Sequence, residues 1–226
     1  MTIDVTDLFE FYQSSLGEVV TSRLGDVFTS FHEKTNAKHL IGLGYTVPYA
    51  SIDLHLVPEH IGVMQHTSGI SSTVMVDDYY LPFQDESVDA LVMIHMLEHS
   101  QNPRRFLREI WRVMASGGRM LMVVPNRRGM WSRFENNPFG YGQPFSKRQI
   151  VGLLRDNMFT CTDVHYALST FPINHSWITT HLQTLPNLPK VLLHRFSGVI
   201  VVEVVKQVCA VQLKTKLRTR LIQKMV

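Results

Sequence analysis

One stretch, residues 76–99 (VDDYYLPFQDESVDALVMIHMLEH), constrains the fold of this chain more than any other. It contains the nearly continuous apolar run 88–94, which is typical of parallel strands that are buried on both faces. A helical pattern over 102–114 (NPRRFLREIWRVM) follows, and then a second apolar strand over 120–124. Strands that alternate with helices pair in parallel through right-handed crossovers, so the pattern predicts an α/β fold.

The rest of the chain extends this alternation. Apolar spacing over 5–33 predicts an amphipathic helix, or two helices with a break near Gly17 or Gly25, capped by Asp4 or Thr6. Another helix is predicted from Ser146 through Arg155. A short apolar segment that begins at His39 and enters the glycines within 39–44 predicts a first strand, and further short strands are predicted at 61–64, 72–76, 162–167 and 198–208.

Size and composition bound the class of protein. A chain of 226 residues with 45% apolar content is long enough for one domain with a full core, so we expect a single domain over 1–226, with a helical N-terminal segment at 1–37. The net charge of +3 does not require a nucleic-acid partner. The two cysteines, Cys161 and Cys209, are too few for a disulfide framework and lack metal-ligand spacing, which favours a reducing compartment.

The N-terminal sequence lacks the basic and long apolar parts of a secretory signal, and no apolar run reaches the roughly 18 residues that cross a bilayer. We therefore expect a cytoplasmic protein without a transmembrane segment. Residues 210–226 form a basic tail, since no acidic residue follows Glu203. This tail is either a solvated last element or a basic patch for a partner or an anionic surface.

Gly42 and Gly44 follow the first predicted strand. Glycines at this place let the backbone approach a nucleotide closely, and open α/β sheets bind ligands at the carboxyl ends of their strands. An ordinary turn between a strand and a helix is the alternative interpretation.

His95, Glu98 and His99 form an HxxEH pattern, and two histidines with a glutamate can bind zinc. In the helical metalloprotease motif, however, the glutamate stands beside the first histidine, whereas here it stands beside the second. We predict no metal site at this place.

The acidic pair before Leu-Pro-Phe, the apolar run and the Leu-Glu-His that ends it resemble the middle of class I S-adenosylmethionine (SAM)-dependent methyltransferases, in particular their type-11 group. Residues 97–150 resemble a branch of that group from alphaproteobacteria, which shares the modified glycine turn. The resemblance implies a Rossmann-like, doubly wound sheet of seven strands, mostly parallel with an antiparallel last strand. It also implies SAM as the cofactor.

The resemblance further implies which residues bind SAM. Asp77 lies four residues before Leu81, where the family's adenine-binding acid lies, and the Asp78 backbone and the Tyr79 ring border the same base. His95 is expected to lie exposed at the mouth of the site beside the methyl group, either as a general base or as a histidine with only a structural role. The other cofactor-binding residues are those of the glycine turn and of the end of the second strand: Gly42, Leu43, Gly44, Met64 and Gln65.

The sequence departs from the family pattern at several of these places. Leu40 stands where an acid usually precedes the glycines, Thr46 and Pro48 replace a third glycine, and Gln65 replaces the acid that holds the ribose. These departures support the alternative of an altered methyltransferase-fold binding or scaffold protein, which would engage an anionic partner through its arginines and its tail.

Residues 126–146, rich in arginine, glycine and aromatic residues, are predicted to form a lid or substrate loop. Arginines there suit a carboxylate or phosphate, and aromatic rings would stack on a ring of the acceptor. A loop that packs over the sheet for stability is the alternative. The acceptor, a small molecule or a protein, is not named by the sequence, and nucleic acid is not expected. The candidate acceptor-binding residues are Asn126, Arg127, Arg128, Trp131 and Tyr141.

Overall fold

A computed structural model describes residues 4–49, 51–58, 73–135, 137–169, 172 and 197–207. Seven strands form one sheet in the order β3-β2-β1-β4-β5-β7-β6. The strands are β1 Ile41–Gly44, β2 Leu54–Pro58, β3 Thr73–Val76, β4 Val88–Ile94, β5 Met114–Pro125, β6 Phe159–Ala167 and β7 Val199–Lys206. The helices are α1 Val5–Gln13, α2 Ser15–Thr35, α3 Pro103–Val113 and α4 Lys147–Asp156, with short 3₁₀ turns at Trp131–Arg133 and Pro138–Gly140.

The strand directions confirm the predicted fold class. Strands β3, β2, β1, β4 and β5 pair in parallel, and β7 lies antiparallel to both β5 and β6. The strand order reverses between β1 and β4. Because open α/β sheets bind ligands outside the carboxyl ends of the strands at such a reversal, this edge is the first place to look for a functional site.

Helices cover both faces of the sheet. One face carries α1 and α2, whose Leu8, Leu24 and Phe28 belong to the same core as Val92 and Ile94 of β4. The other face carries α3 and α4, and Leu91 and Met93 of β4 belong to its core. Successive strand side chains point to opposite faces, so a strand between two helical layers must be apolar at nearly every position. This explains the apolar run that anchors the sequence pattern.

The N-terminal segment forms two helices, as one of the two predictions had it, but the break lies at Ser14. The Asp4 side chain caps α1, and the Ser14 side chain caps α2 by accepting from the backbone N–H of Gly17 at 3.1 Å. A Cβ atom at Gly17 would collide with the carbonyl oxygen of Phe11. Gly17 therefore does not break the helix; it lets α1 pack closely against the start of α2.

The prediction for the second strand is wrong. The strand beside β1 is Leu54–Pro58, and 61–64 lies outside the described residues. His55 weakened the apolar signal of β2, yet its Nδ1 lies 2.9 Å from Thr46 Oγ1, so the buried imidazole has a partner. The end of α3 is also one residue earlier than predicted, because β5 begins at Met114, six residues before the predicted start of that strand at 120.

Other boundaries agree with the predictions to within a few residues. The Ser146 side chain begins α4 with a capping box that involves Gln149. The predicted sixth strand begins three residues earlier, at Phe159, and β7 ends at Lys206 within the described residues. Cys209 and the basic tail lie outside the described residues.

Candidate active site

The turn after β1 is built around glycines. Gly44 has a backbone φ of 91°, and a Cβ atom there would collide with the carbonyl oxygen of Ile94 at the end of β4. A Cβ atom at Gly42 would collide with the Thr46 side chain. The backbone N–H of Tyr45 donates to the Ile94 carbonyl at 3.2 Å. The turn is therefore fastened to the end of β4, and the packing alone requires both glycines; contact of Gly42, Leu43 and Gly44 with a cofactor stays a prediction.

Two departures from the family pattern have structural explanations. Thr46, in place of a third glycine, contacts the imidazole of His55, whose pKa burial lowers below its ordinary value. Leu40 is fully buried, and its backbone N–H donates to the carboxylate of Asp53 at 2.7 Å. An acid at position 40 would place a carboxylate in the core.

His95 is the residue at which the structure differs most from expectation. It was expected to lie exposed at the mouth of the site, but it is 0% exposed, and its backbone φ is 55°. Its Nε2 lies 2.9 Å from the hydroxyl of Tyr12 on α1, and its ring lies 4.6 Å from the ring centroid of Phe139. Helix α1 and the 3₁₀ turn Pro138–Gly140 cover it, and neither contact is visible from residues 76–99 alone.

Glu98 lies beside His95 and is also buried. One carboxylate oxygen lies 3.6 Å from His95 Nδ1, and within the described residues neither oxygen has a hydrogen-bond partner. A buried carboxylate without hydrogen bonds is costly in free energy, which makes Glu98 a candidate functional residue of this site. Among the described residues, no group of three His, Cys, Asp or Glu side chains is arranged to hold a metal ion.

Three tyrosines complete the arrangement around His95. The Tyr12 hydroxyl lies 3.3 Å from that of Tyr49, and the Tyr12 and Tyr45 rings lie 5.4 Å apart. Burial raises the pKa of Tyr45 to about 12, and it raises the pKa of Tyr12 and of Tyr49 as well. All three phenols therefore stay protonated at neutral pH. Tyr12 can donate to an unprotonated Nε2 of His95, whose Nδ1 proton then faces Glu98.

Sequence reasoning placed Tyr12 in the apolar face of a helix and missed this contact, because the partner is 83 positions away along the chain. The signal that was available is weak: a polar hydroxyl at a buried helix position needs a partner, and a histidine at the end of a central strand is one.

Asp77, Asp78 and Tyr79 lie at the carboxyl end of β3, as predicted. Asp77 is exposed, and one of its carboxylate oxygens accepts from the backbone N–H of Tyr79 at 2.7 Å. The Tyr79 ring is half-buried, with the Arg105 guanidinium 4.4 Å from its centroid. One face of that ring is thus held against α3. Met64 and Gln65, the other two residues predicted on this side, lie outside the described residues.

A network that the sequence did not reveal holds the segment after Asp77 in place. The Glu109 carboxylate accepts from the backbone N–H of Leu81 at 2.8 Å and pairs with Arg112. The Arg112 guanidinium also donates to the carbonyl oxygens of Leu81 and Phe83. The hydrogen bonds that Glu109 accepts, from Arg112 and from the backbone N–H of Leu81, lower the pKa of its carboxyl. Helix α3 therefore fixes the Leu-Pro-Phe segment, and with it the position of the acidic pair.

The predicted acceptor residues separate into two groups. Asn126 and Trp131 are buried: the Asn126 amide donates to the Ser197 carbonyl at 2.8 Å, and Trp131 packs against Phe139 with ring centroids 5.7 Å apart. They hold the segment onto the sheet, so the prediction that Trp131 offers a stacking face to an acceptor is wrong for this conformation. Tyr141 is half-buried against the α1/α2 core.

Arg127 and Arg128 are exposed and remain available to a ligand. Both ends of the 126–146 segment are tied down, since the Phe145 carbonyl accepts from the backbone N–H of Arg127 and the Phe145 N–H donates to the Pro125 carbonyl, each at 2.9 Å. The alternative interpretation, a loop that packs over the sheet, describes this segment better than a free lid does.

Comparison with known proteins shows which family the central part of the chain is similar to. Residues 41–122 match the family model described as a methyltransferase domain. The matched residues run from β1 into β5 and include the glycine turn, Asp77 and His95. Among curated proteins, no sequence matches the chain.

Solved structures share the fold at low sequence identity. A SAM-dependent methyltransferase from Archaeoglobus fulgidus is 15% identical, with a TM-score of 0.59 over 88% of this chain and 98% of that one. A possible histamine N-methyltransferase from Thermotoga maritima is 17% identical, with a TM-score of 0.55 over 75% and 82%. The [4+2]-cyclase SpnF is 18% identical, with a TM-score of 0.52 over 81% of each chain.

The family match supports a methyltransferase domain and the prediction of SAM as its cofactor, and the solved structures confirm the Rossmann-like fold. The cyclase among the neighbours shows that this fold hosts other chemistry as well. No helix in the described part of the chain is long and apolar enough to span a membrane.

Proposed function

We propose that this chain is a SAM-dependent methyltransferase whose cofactor lies across the carboxyl ends of β1 to β4. The match of residues 41–122 to a methyltransferase domain carries the proposal. It is supported by the place of the glycine turn and Asp77, which stand at the carboxyl ends of β1 and β3, since β1 borders the reversal of strand order and β3 lies on the same half of the sheet.

Asp77 is the proposed contact to adenine. One carboxylate oxygen holds the local turn through Tyr79, and the other has no hydrogen-bond partner among the described residues. That second oxygen would accept a hydrogen bond from the exocyclic amine of the base. The Asp78 backbone and the Tyr79 ring would border the base at the same place.

The corrected position of β2 changes the proposed contact to ribose. Glu59 is the next residue in the sequence after β2, which ends at Pro58, and Pro58 is paired with Val76, the residue before Asp77. Gln65 is six positions further along the chain. We propose that Glu59 takes the part that had been predicted for Met64 and Gln65, because a carboxylate accepts both ribose hydroxyl hydrogen bonds.

Methyl transfer from SAM would need no covalent bond between the protein and the transferred group. The acceptor's lone pair forms a bond to the methyl carbon, the carbon–sulfur electron pair stays on sulfur, and an O–H or N–H acceptor loses its proton. We propose that this proton passes to His95 through the Tyr12 hydroxyl, which lies 2.9 Å from Nε2, with Glu98 stabilising the imidazolium. Because burial raises the Tyr12 pKa, the phenol would gain and lose a proton in one step.

Calorimetric titration tests the cofactor site. SAM and its demethylated product should bind the wild-type protein, and Asp77→Asn and Glu59→Gln should each weaken binding about tenfold or more, since each removes a charge-assisted hydrogen bond. Gln65→Ala is the matched control and should bind as the wild type does. If Gln65→Ala weakened SAM binding and Glu59→Gln did not, the ribose contact would be assigned to Gln65.

Failure of both ligands to bind wild-type protein at near-millimolar concentration would refute the proposal and favour the binding or scaffold alternative. If SAM binds, labelled SAM in a lysate can reveal the acceptor, and the acceptor's chemistry then decides whether an oxygen, a nitrogen or a carbon is methylated.

A further inference from the structure

A cleft with a volume of about 700 Å³ lies between α4 and the segment that follows β5. Four cationic side chains line it: Arg128, Lys147, Arg148 and Arg155. Gly152 and Tyr166 also border it. We call it the α4 cleft. Its volume is in the range of sites that bind small molecules.

The charge of the α4 cleft is unbalanced. None of its lining residues is acidic, and within the described part of the chain none of the four cations forms an ion pair. The acid nearest to them in sequence, Asp156, pairs with Arg104 at 3.3 Å. Positive charges that converge on a concave surface raise the local concentration of anions. The planar guanidinium group also matches the geometry of phosphate oxygens.

Helix α4 builds one wall of the cleft in a fixed position. Its buried face carries Ile150 and Leu154, whereas Arg148, Gly152 and Arg155 follow one another at helical spacing on the cleft face. The capping box at Ser146 fixes the start of the helix. Three of the four cations, Lys147, Arg148 and Arg155, therefore project from a helix, and Arg128 lies in the segment after β5.

Gly152 has no packing reason to be a glycine. A Cβ atom there would meet nothing within 4 Å, and a glycine inside a helix is less stable than an alanine. The absent side chain leaves room for a ligand between Arg148 and Arg155. This is a second sign, independent of charge, that the wall is shaped for an occupant.

From these observations we propose that the α4 cleft binds a small phosphorylated ligand through its phosphate groups. The cleft lies at the carboxyl edge of the sheet, because Asn126 follows β5 and Tyr166 lies near the end of β6. It faces the α3/α4 side, whereas Tyr12 packs with the α1/α2 core. The concave shape favours a small ligand over a flat membrane surface, and the proposal does not depend on methyl transfer.

Calorimetry with pyrophosphate and inorganic triphosphate tests this site in the full chain. Both should bind the wild type, triphosphate more tightly, with affinity that falls as salt is raised. Arg148→Gln and Arg155→Gln should each weaken binding by about tenfold. Gly152→Glu, which fills the cleft with a carboxylate, should abolish binding, and Gly152→Ala, which takes up less of the same space, should weaken it less. Arg133→Gln, an exposed arginine of the same segment outside the cleft, is the matched control and should leave affinity unchanged.

Two results would overturn the proposal: no binding of either probe to the wild type, or equal weakening by Arg133→Gln and Arg148→Gln, which would mean attraction to net charge alone. Vesicles with anionic lipid serve as a further arm, and binding to vesicles without binding to triphosphate would assign the cations to a membrane surface instead. SAM titrated on the same variants should bind as it does to the wild type. A protein that binds triphosphate but not SAM would refute the proposed function and leave this site standing.

Discussion

Gly44→Ala and Gly117→Ala form a pair of substitutions that isolates the role of the glycine turn. Both glycines have positive φ, 91° at Gly44 and 80° at Gly117. A Cβ atom at Gly44 would collide with the Ile94 carbonyl oxygen, whereas one at Gly117 would meet nothing within 4 Å. The two alanines therefore share the backbone strain, and the collision with the end of β4 occurs at Gly44 alone.

The expected magnitudes follow from these two effects. An L-residue in the left-handed region costs about 1–2 kcal/mol, which applies to both variants. The collision at Gly44 adds about 1–3 kcal/mol, because the carbonyl oxygen belongs to a buried strand and can move only with that strand. Gly117→Ala should thus lower the free energy of unfolding by about 1–2 kcal/mol, and Gly44→Ala by about 2–5 kcal/mol.

Urea unfolding followed by circular dichroism measures both values, and calorimetry with SAM gives a second readout. If the proposed cofactor site is right, Gly44→Ala should also lose SAM affinity, because the added Cβ would displace the turn from the end of β4. Gly117→Ala should bind SAM as the wild type does. Equal losses of stability in the two variants would refute the claim that contact with Ile94, and not φ alone, requires glycine at position 44.

Three further predictions concern other parts of the fold. Tyr12→Phe keeps the ring but leaves His95 Nε2 without its partner, so it should cost about 1–3 kcal/mol of stability and, if the proton path is right, alter the pH profile of methyl transfer. The pKa of His55 is lowered by burial, so its contribution to stability is present above its ordinary pKa of 6.5 and is lost as the pH falls below it. The urea midpoint should therefore fall between pH 7.5 and pH 5, and less so in His55→Asn. Gly25→Ala should stabilise α2 by about 0.5–1 kcal/mol, whereas Gly17→Ala should destabilise the protein, because its Cβ collides with the Phe11 carbonyl; thermal melting ranks the two.

Each of these has a result that would contradict it. A Tyr12→Phe protein with wild-type stability would mean that the contact with His95 contributes nothing. An unchanged pH dependence in His55→Asn would assign acid sensitivity to carboxylates such as Glu109, whose lowered pKa acts at more acidic pH. A stabilising Gly17→Ala would show that α1 can move away from α2 at no cost.

Much of the sheet could be predicted from the sequence, because a buried parallel strand must be apolar at nearly every position, and β4 meets that requirement everywhere except at Asp89. The second strand could not be predicted in this way, because it is short and the polar residue His55 interrupts its apolar pattern. A polar residue is tolerated there through its contact with Thr46, a partner that joins it only in the folded chain. That single misplacement is the reason why Gln65 was predicted as the ribose contact, for which we now propose Glu59.

The candidate site was predictable where it is local and not where it is assembled. Asp77 and the glycine turn depend on a few consecutive residues, so their patterns are visible in the sequence. The burial of His95 depends on Tyr12 and Phe139, and that of Trp131 on Phe139 and Gly198, which come from distant segments. The local sequence around an aromatic or histidine side chain is the same whether that side chain faces a ligand or the core. Only the tertiary packing decides which of the two it faces.

The parts that surround His95 lie largely outside the residues that match the methyltransferase domain. The match covers 41–122, whereas Tyr12 is supplied by α1 and Phe139 by the segment after β5. A shared domain of this kind would fix where SAM binds, while the elements added before and after it decide what reaches the methyl group. If so, chimeras in which residues 4–35 or 126–146 are replaced by the corresponding segment of another methyltransferase should methylate a different acceptor and keep their SAM affinity. A loss of SAM affinity in both chimeras would place these elements in the cofactor site instead.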